Sequence, residues 1–217
     1  MLLAIDNISY GYGGAAPVLA GFSLRLTSGQ HSLLLGPSGS GKTTLINLIA
    51  GLLTPQSGSI IIAGESMSAA GPTARDDLRR RRIGIVFQSL RLVSAIDLRG
   101  NLALAQRLSG RGRDVAAIDA LIERLGISHR AKAHPRDLSQ GEAQRAAIAR
   151  ALVGKPDLLI ADEPTSALDD ANMERVARLL IDTANANGST LLIATHDARL
   201  RAFIPETIAL DRLKQAA

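Results

Sequence analysis

The sequence predicts an α/β fold with a mostly parallel core sheet, an N-terminal antiparallel β subdomain and a helical insert subdomain. Three observations carry that expectation. Short apolar, β-rich runs alternate with helical patterns along most of the chain. The early runs, around residues 2–30, instead alternate apolar with polar positions and are broken by Gly11, Gly13, Gly14 and Gly29, which suits an antiparallel layer. From about Leu90 to Leu125 the apolar spacing changes to threes and fours, through Leu102, Leu104, Leu108, Val115, Ile118, Leu121, Ile122 and Leu125.

Taken in order, strands are expected at residues 2–8, 31–35, 59–63, 83–87, 157–161, 190–194 and 207–210, because each is a short apolar run bounded by turn residues. Helices are expected at 44–53 and 143–152. Gly71-Pro72 and residues 110–113 read as loops. Residues 75–82 hold five arginines and two aspartates and read as a solvated helix face. No tandem repeat or long linker divides the chain, so residues 1–217 are expected to form one unit, with the helical subdomain at about 89–150.

Composition narrows the function classes. With 217 residues, 46% of them hydrophobic and 21% charged, the chain can bury one substantial core and is not a disordered protein. It has no cysteine, which removes disulfides, thiolate zinc sites and cysteine nucleophiles together and fits a reducing cytosol. The start, with Asp6 and no basic stretch, predicts no secretory leader. The longest uncharged stretch, 43–64, contains Asn47, Pro55 and Gln56, so a bilayer-spanning helix is not expected. A net charge of +5, carried by 21 Arg and 4 Lys against 20 acids, favours an anionic partner without choosing among nucleotide, nucleic acid and lipid.

A specific motif makes that choice. The apolar run 31–35 leads directly into Gly36, Pro37, Ser38, Gly39, Ser40, Gly41, Lys42, Thr43 and Thr44, and then into a helix. Glycines let backbone amides turn inward around phosphate oxygens, and the helix behind them presents its partly positive end. In the G-x-x-x-x-G-K-[ST] pattern Lys42 reaches the β and γ phosphates, and the Thr43 hydroxyl holds Mg²⁺. A second apolar run ends in Asp162 and Glu163. Neighbouring strand residues face opposite ways, which separates an acid for the metal shell, Asp162, from an acid for the attacking water, Glu163. A third run ends at His196, whose imidazole either serves the γ phosphate and the water or is simply exposed.

Leu138-Ser139-Gln140-Gly141-Glu142 precedes another helical run. Ser139 with Glu142 three residues on is a capping box. The same helix start, through the amides of Ser139 and Gly141, offers a second anion site.

In this order the motifs resemble the nucleotide-binding subunit of ATP-binding cassette (ABC) transporters, most like the lipoprotein-release and macrolide-efflux branch. The resemblance covers essentially the whole chain and implies a P-loop NTPase (RecA-like) core. It assigns Gln88 to the loop glutamine that meets metal and nucleophile, Tyr12 to an adenine stack, residues 138–142 to the signature and Asp169 to the loop after the acidic pair. It implies ATP and Mg²⁺ as cofactors and catalysis by Lys42, Gln88, Glu163 and His196. It also implies a head-to-tail homodimer in which the signature of one subunit completes the phosphate site of another. Transmembrane permease subunits are the implied partners, docking around Leu90, Leu92, Val93 and Ile96. The location is then cytoplasmic, peripheral on the inner face of the cell membrane, with no nucleic acid expected. The family's usual Leu-Ser-Gly-Gly-Gln is altered here at Gln140 and Glu142. Soluble relatives acting on nucleic acid, or non-hydrolysing scaffolds, are the alternatives, and Glu163 and His196 argue against the latter.

Overall fold

The computed structural model describes residues 1–13, 16–166 and 168–211. Its core is a five-stranded parallel sheet in the order β6-β7-β8-β3-β9, comprising β3 (Ser32–Leu35), β6 (Ile83–Val86), β7 (Leu158–Asp162), β8 (Thr190–Thr195) and β9 (Thr207–Ala209). Alternate residues of the central strands serve two different cores. Leu33, Leu159, Ala161, Leu191 and Ile193 pack on one face, and Leu34, Leu158, Ile160, Leu192 and Ala194 on the other. This is why these strands read as continuous apolar runs: both faces of the sheet are covered.

The first face carries α3 (Leu98–Leu108), α4 (Val115–Arg124), α5 (Gln140–Leu152) and α6 (Asp170–Asn187). The second carries α1 (Lys42–Ile49) and the antiparallel sheet β2-β1-β4-β5, built from β1 (Leu3–Tyr10), β2 (Leu19–Leu26), β4 (Ser57–Ile62) and β5 (Glu65–Ser66). The antiparallel layer thus lies where the early glycine-broken alternation placed it.

Two expectations need correction. The stretch 90–97 is not helical: Leu90 and Arg91 have φ of 56° and 48°, values that stop a right-handed helix. The insert begins instead at α3, capped by Asp97, whose carboxylate accepts from the Gly100 amide. Gly71-Pro72 is not merely a loop but the start of α2 (Pro72–Arg82), with proline in the first helical turn. The arginines of α2 form the expected solvated face only in part, since Arg75 and Arg79 turn inward to the Ala70 and Ala50 carbonyls. Arg81 pairs with Asp77 and Glu65, and Arg82 pairs with Glu65 and Asp157.

Candidate active site

Three adjacent strands, β3, β8 and β7, deliver their C-terminal ends to one place. β3 runs into the loop 36–41 and α1. Gly41 is the N-cap of α1 in a left-handed conformation, φ 99°, and no side chain caps the helix. The amides of a helix's first turn have no acceptor within the helix, and Lys42, Thr43 and Thr44 of this turn line a cavity. Gly36 is equally constrained, since a Cβ there would lie 2.6 Å from Ser40 Oγ and collide with the Leu210 carbonyl. Lys42 is buried, and its Nζ donates to the carbonyls of Gly36 (2.7 Å) and Pro37 (3.1 Å).

The acidic pair splits, but not by strand alternation: β7 ends at Asp162, and Glu163 lies beyond it in a left-handed turn. At the end of β7, Asp162 Oδ2 accepts from the Thr43 hydroxyl at 3.2 Å. Its Oδ1 is buried with no protein partner, and burial pushes the carboxyl above its usual range. An orphaned carboxylate oxygen beside a hydroxyl suits a hard divalent cation, which takes oxygen ligands of this kind. The pair therefore fits Mg²⁺.

Glu163 turns away in the left-handed region, φ 49°, while its amide donates to Ala194 O of the neighbouring β8. Its Oε1 lies 3.3 Å from Lys42 Nζ. Its Oε2 lies 2.9 Å from His196 Nδ1 and accepts from the Thr195 hydroxyl at 3.3 Å. A cavity of about 340 Å³ is lined by Lys42, Thr43, Thr44, Gln88, Glu163 and His196, with Ser38, Gly39 and Gly41 along its floor. Gln88 enters from the end of β6, so four strands contribute.

Tyr12 stands at the edge of this region, 49% exposed, with its hydroxyl 3.2 Å from Thr44 Oγ1 and its ring edge-on to Tyr10 at 5.0 Å between centroids. Tyr10 packs against the core below. The neighbouring Gly14 lies outside the described residues, as does Ala167 in the loop before Asp169.

Ser139, Gln140, Gly141 and Glu142 do not line the phosphate cavity of their own chain, although Gln140 lines an adjoining pocket with Gln88 and Glu163. The capping box is present in full: Ser139 Oγ accepts from the Glu142 amide, and Glu142 Oε2 accepts from the Ser139 amide at 2.8 Å. The expectation that the Ser139 amide is open to an anion is therefore wrong, because Glu142 already holds it. Glu142 is further engaged by Arg130 (2.8 Å) and His129 (3.1 Å). The Arg130 guanidinium, followed by the Ser139 amide, holds its carboxyl down at about 2. Asp169 is the N-cap of α6, accepting from the Asn172 amide, and does not line the cavity.

The structure adds groups that the sequence reading passed over. Thr195 bonds both Glu163 and the Asp197 amide, and a hydroxyl closing an apolar strand just before His196 was the available signal. Val18 lines the cavity and blocks any side chain at Gly41, where a Cβ would sit 2.9 Å from its Cγ1. Gln144 donates to the Pro164 carbonyl at 2.7 Å, fixing the turn after Glu163; nothing in its spacing marks it.

A glycine-rich phosphate loop and a split acid pair at the ends of adjacent parallel strands define a P-loop nucleotide hydrolase. Residues 19–166 match the ABC transporter family. The lipoprotein-releasing system ATP-binding protein LolD of Pseudomonas fluorescens is 42% identical over 186 residues, covering 84% of this chain and 82% of the relative. LolD of Shewanella oneidensis is 36% identical over 207 residues, covering 93% and 90%. Among solved structures, the post-hydrolysis dimer of the ATP-binding cassette MJ0796 bound to ADP and Pi superposes with a TM-score of 0.86 at 28% identity, covering 98% of this chain and 97% of that one. The chain belongs to the ABC transporter family and is an ATP-binding, ATP-hydrolysing transporter subunit.

Proposed function

We propose that two copies of this chain close head to tail over two ATP molecules, and that closing and hydrolysis drive a membrane permease of the lipoprotein-releasing type. The observation that carries this reading is the Lys42–Glu163–His196 cluster facing the phosphate-loop cavity. The sheet edge of the cavity supplies cations, amides and a base, while Ser139 and Gly141 of the signature lie outside that cavity and are left for a partner copy to use. The dimeric state named for the MJ0796 cassette supports that arrangement.

In this reading the amides of residues 38–43 cradle the phosphates, and Lys42 exchanges its carbonyl and Glu163 contacts for phosphate oxygens. Thr43 and Asp162 hold Mg²⁺, with Gln88 joining them; bound there, Mg²⁺ neutralises charge on the phosphates. Glu163 accepts a proton from the attacking water, and its bond to His196 fixes its orientation. Tyr12 stacks on the adenine, and Ser139 and Gly141 meet the γ phosphate bound to the partner copy. Ser139 Oγ accepts from Glu142 and keeps its own hydrogen to donate outward. Asp169 lies in the loop that reaches toward the partner.

No helix among the described residues is long and apolar enough to cross a membrane. The reading therefore places the chain on the inner face of the cell membrane, attached through permease subunits. Of the four residues expected to dock them, Leu90 and Leu92 pack against the protein's own core, while Val93 is 42% exposed. The docking face then centres on the neighbouring cleft of about 350 Å³ between Leu52, Phe87, Arg91 and Leu108. The test is size-exclusion chromatography with saturating Mg-ATP. Glu163→Gln protein is expected to bind ATP, fail to hydrolyse it and elute as a dimer; a monomer under those conditions would defeat the closure model.

A further inference from the structure

β1 and β4 pair as antiparallel strands down to Ser9 and Ser57, and the Gln56 amide adds one more bond to Ser9 O at 2.9 Å. Among the described residues the main-chain ladder between these two strands goes no further. The Gln56 side chain continues it instead. Its Oε1 accepts from the Gly11 amide at 3.0 Å, and its Nε2 donates to the Gly11 carbonyl at 3.2 Å. A carboxamide and a peptide group thus exchange two hydrogen bonds in the manner of one extra antiparallel rung. On the other side of β1, the Val18 amide donates to the Tyr10 carbonyl.

Gly11 is the residue before Tyr12. Beyond it, the described anchors of Tyr12 are an edge contact with Tyr10 and a hydroxyl contact with Thr44. Both involve the ring or its tip, so the backbone that aims the ring is held by Gln56 at Gly11 and, at the Tyr10 carbonyl just before it, by the Val18 amide. We infer that Gln56 is a positioning residue for the adenine platform: it sets where Tyr12 presents its face to the base, without touching nucleotide itself. The inference rests on the reading of Tyr12 as the adenine stack.

The consequence is selective. Loss of the rung weakens recognition of the base but leaves the phosphate loop, Lys42 and Glu163 as they are. The experiment measures steady-state ATPase kinetics of the full chain for wild type, Gln56→Ala, Gln56→Glu, Tyr12→Ala and the double alanine variant, with inorganic tripolyphosphate as a competitor that lacks a base. Gln56→Ala is expected to raise KM for ATP about three- to tenfold, the range of one or two net hydrogen bonds, with kcat and the tripolyphosphate inhibition constant within about twofold of wild type. Gln56→Glu keeps the acceptor, loses the donor and is expected to fall between. The double variant is expected to match Tyr12→Ala alone, since both act through one ring. If Tyr12→Ala raises KM and Gln56→Ala does not, or if the two effects multiply in full, the positioning role is wrong. If Tyr12→Ala itself leaves KM unchanged, the adenine reading fails first, and the positioning role falls with it.

Discussion

The two helix starts that the proposed function assigns to phosphate are built in opposite ways. α1 begins at a left-handed glycine with no capping side chain, and its glycines are demanded by the chain itself: Gly36 by Ser40 and the Leu210 carbonyl, Gly41 by φ and Val18. α5 begins with a complete capping box, whose carboxylate is also bound by Arg130 and His129. Yet Gly141, in its first turn, has ordinary φ, and a Cβ there would meet only Arg145 Nη1, at 3.5 Å. Nothing among the described residues requires a glycine at that position. One helix start is left chemically unfinished so that a ligand can finish it. The other is finished by its own sequence and keeps a space that only something from outside would use.

That contrast can be broken at four points. The largest effect is expected at the open start: Lys42→Ala should lower ATPase turnover by roughly 10²–10³-fold, the scale of losing one aimed charge, and should abolish nucleotide uptake in calorimetry. Second, Gly141→Ala should leave thermal stability unchanged or slightly raised, by up to about 1 kcal/mol, because the helix accommodates it. ATPase turnover should nevertheless fall about tenfold or more as the methyl group meets the partner's phosphate. Full activity in that variant would mean that the space has no occupant. Third, Glu142→Gln should lower the denaturation midpoint near neutral pH. The carboxyl of Glu142 is depressed in the folded state to about 2 from an ordinary 4.5, so its contribution is fully present above pH 4.5 and is lost as pH falls toward 2. The difference from wild type should hold from pH 8 to about 5 and then shrink; a constant difference down to the lowest pH reached would show that the charge is not its source. Smallest, Arg81→Ala on the solvated face of α2 should move the melting temperature by no more than about 2 °C and leave ATPase kinetics unaltered, as exposed ion pairs contribute little.

What was legible in the sequence is what is decided locally. The phosphate loop, the acid pair and His196 each close an apolar strand, so period and punctuation find them; seven strands begin and end within two residues of the expected runs, whereas β2 and β5 match no expected run. The helix at 90–97 failed because Leu92 and Ile96, four apart, extend the helical spacing of the insert onto a segment whose backbone is turned by left-handed Leu90 and Arg91, and spacing does not report φ. The Ser139 amide was misjudged for a related reason. A capping box and an anion site share residue types, and only the distances show that Glu142 has taken one of the two amides. Gln56 and Gln144 act through the backbone of Gly11 and Pro164, far away in sequence, so their neighbours in the chain carry no trace of the role.

The order β7-β8-β3 places His196 on the strand between the acid pair and the phosphate loop. Neighbouring strands stand about 4.8 Å apart, so the backbones bearing Glu163 and the loop are separated by two such steps, roughly 10 Å. That interval is a property of peptide hydrogen bonding, identical in any parallel sheet, and no exchange of side chains along the rim alters it. The gauge of the active site is thus inherited from the main chain, and substitution can change only the tools mounted on it.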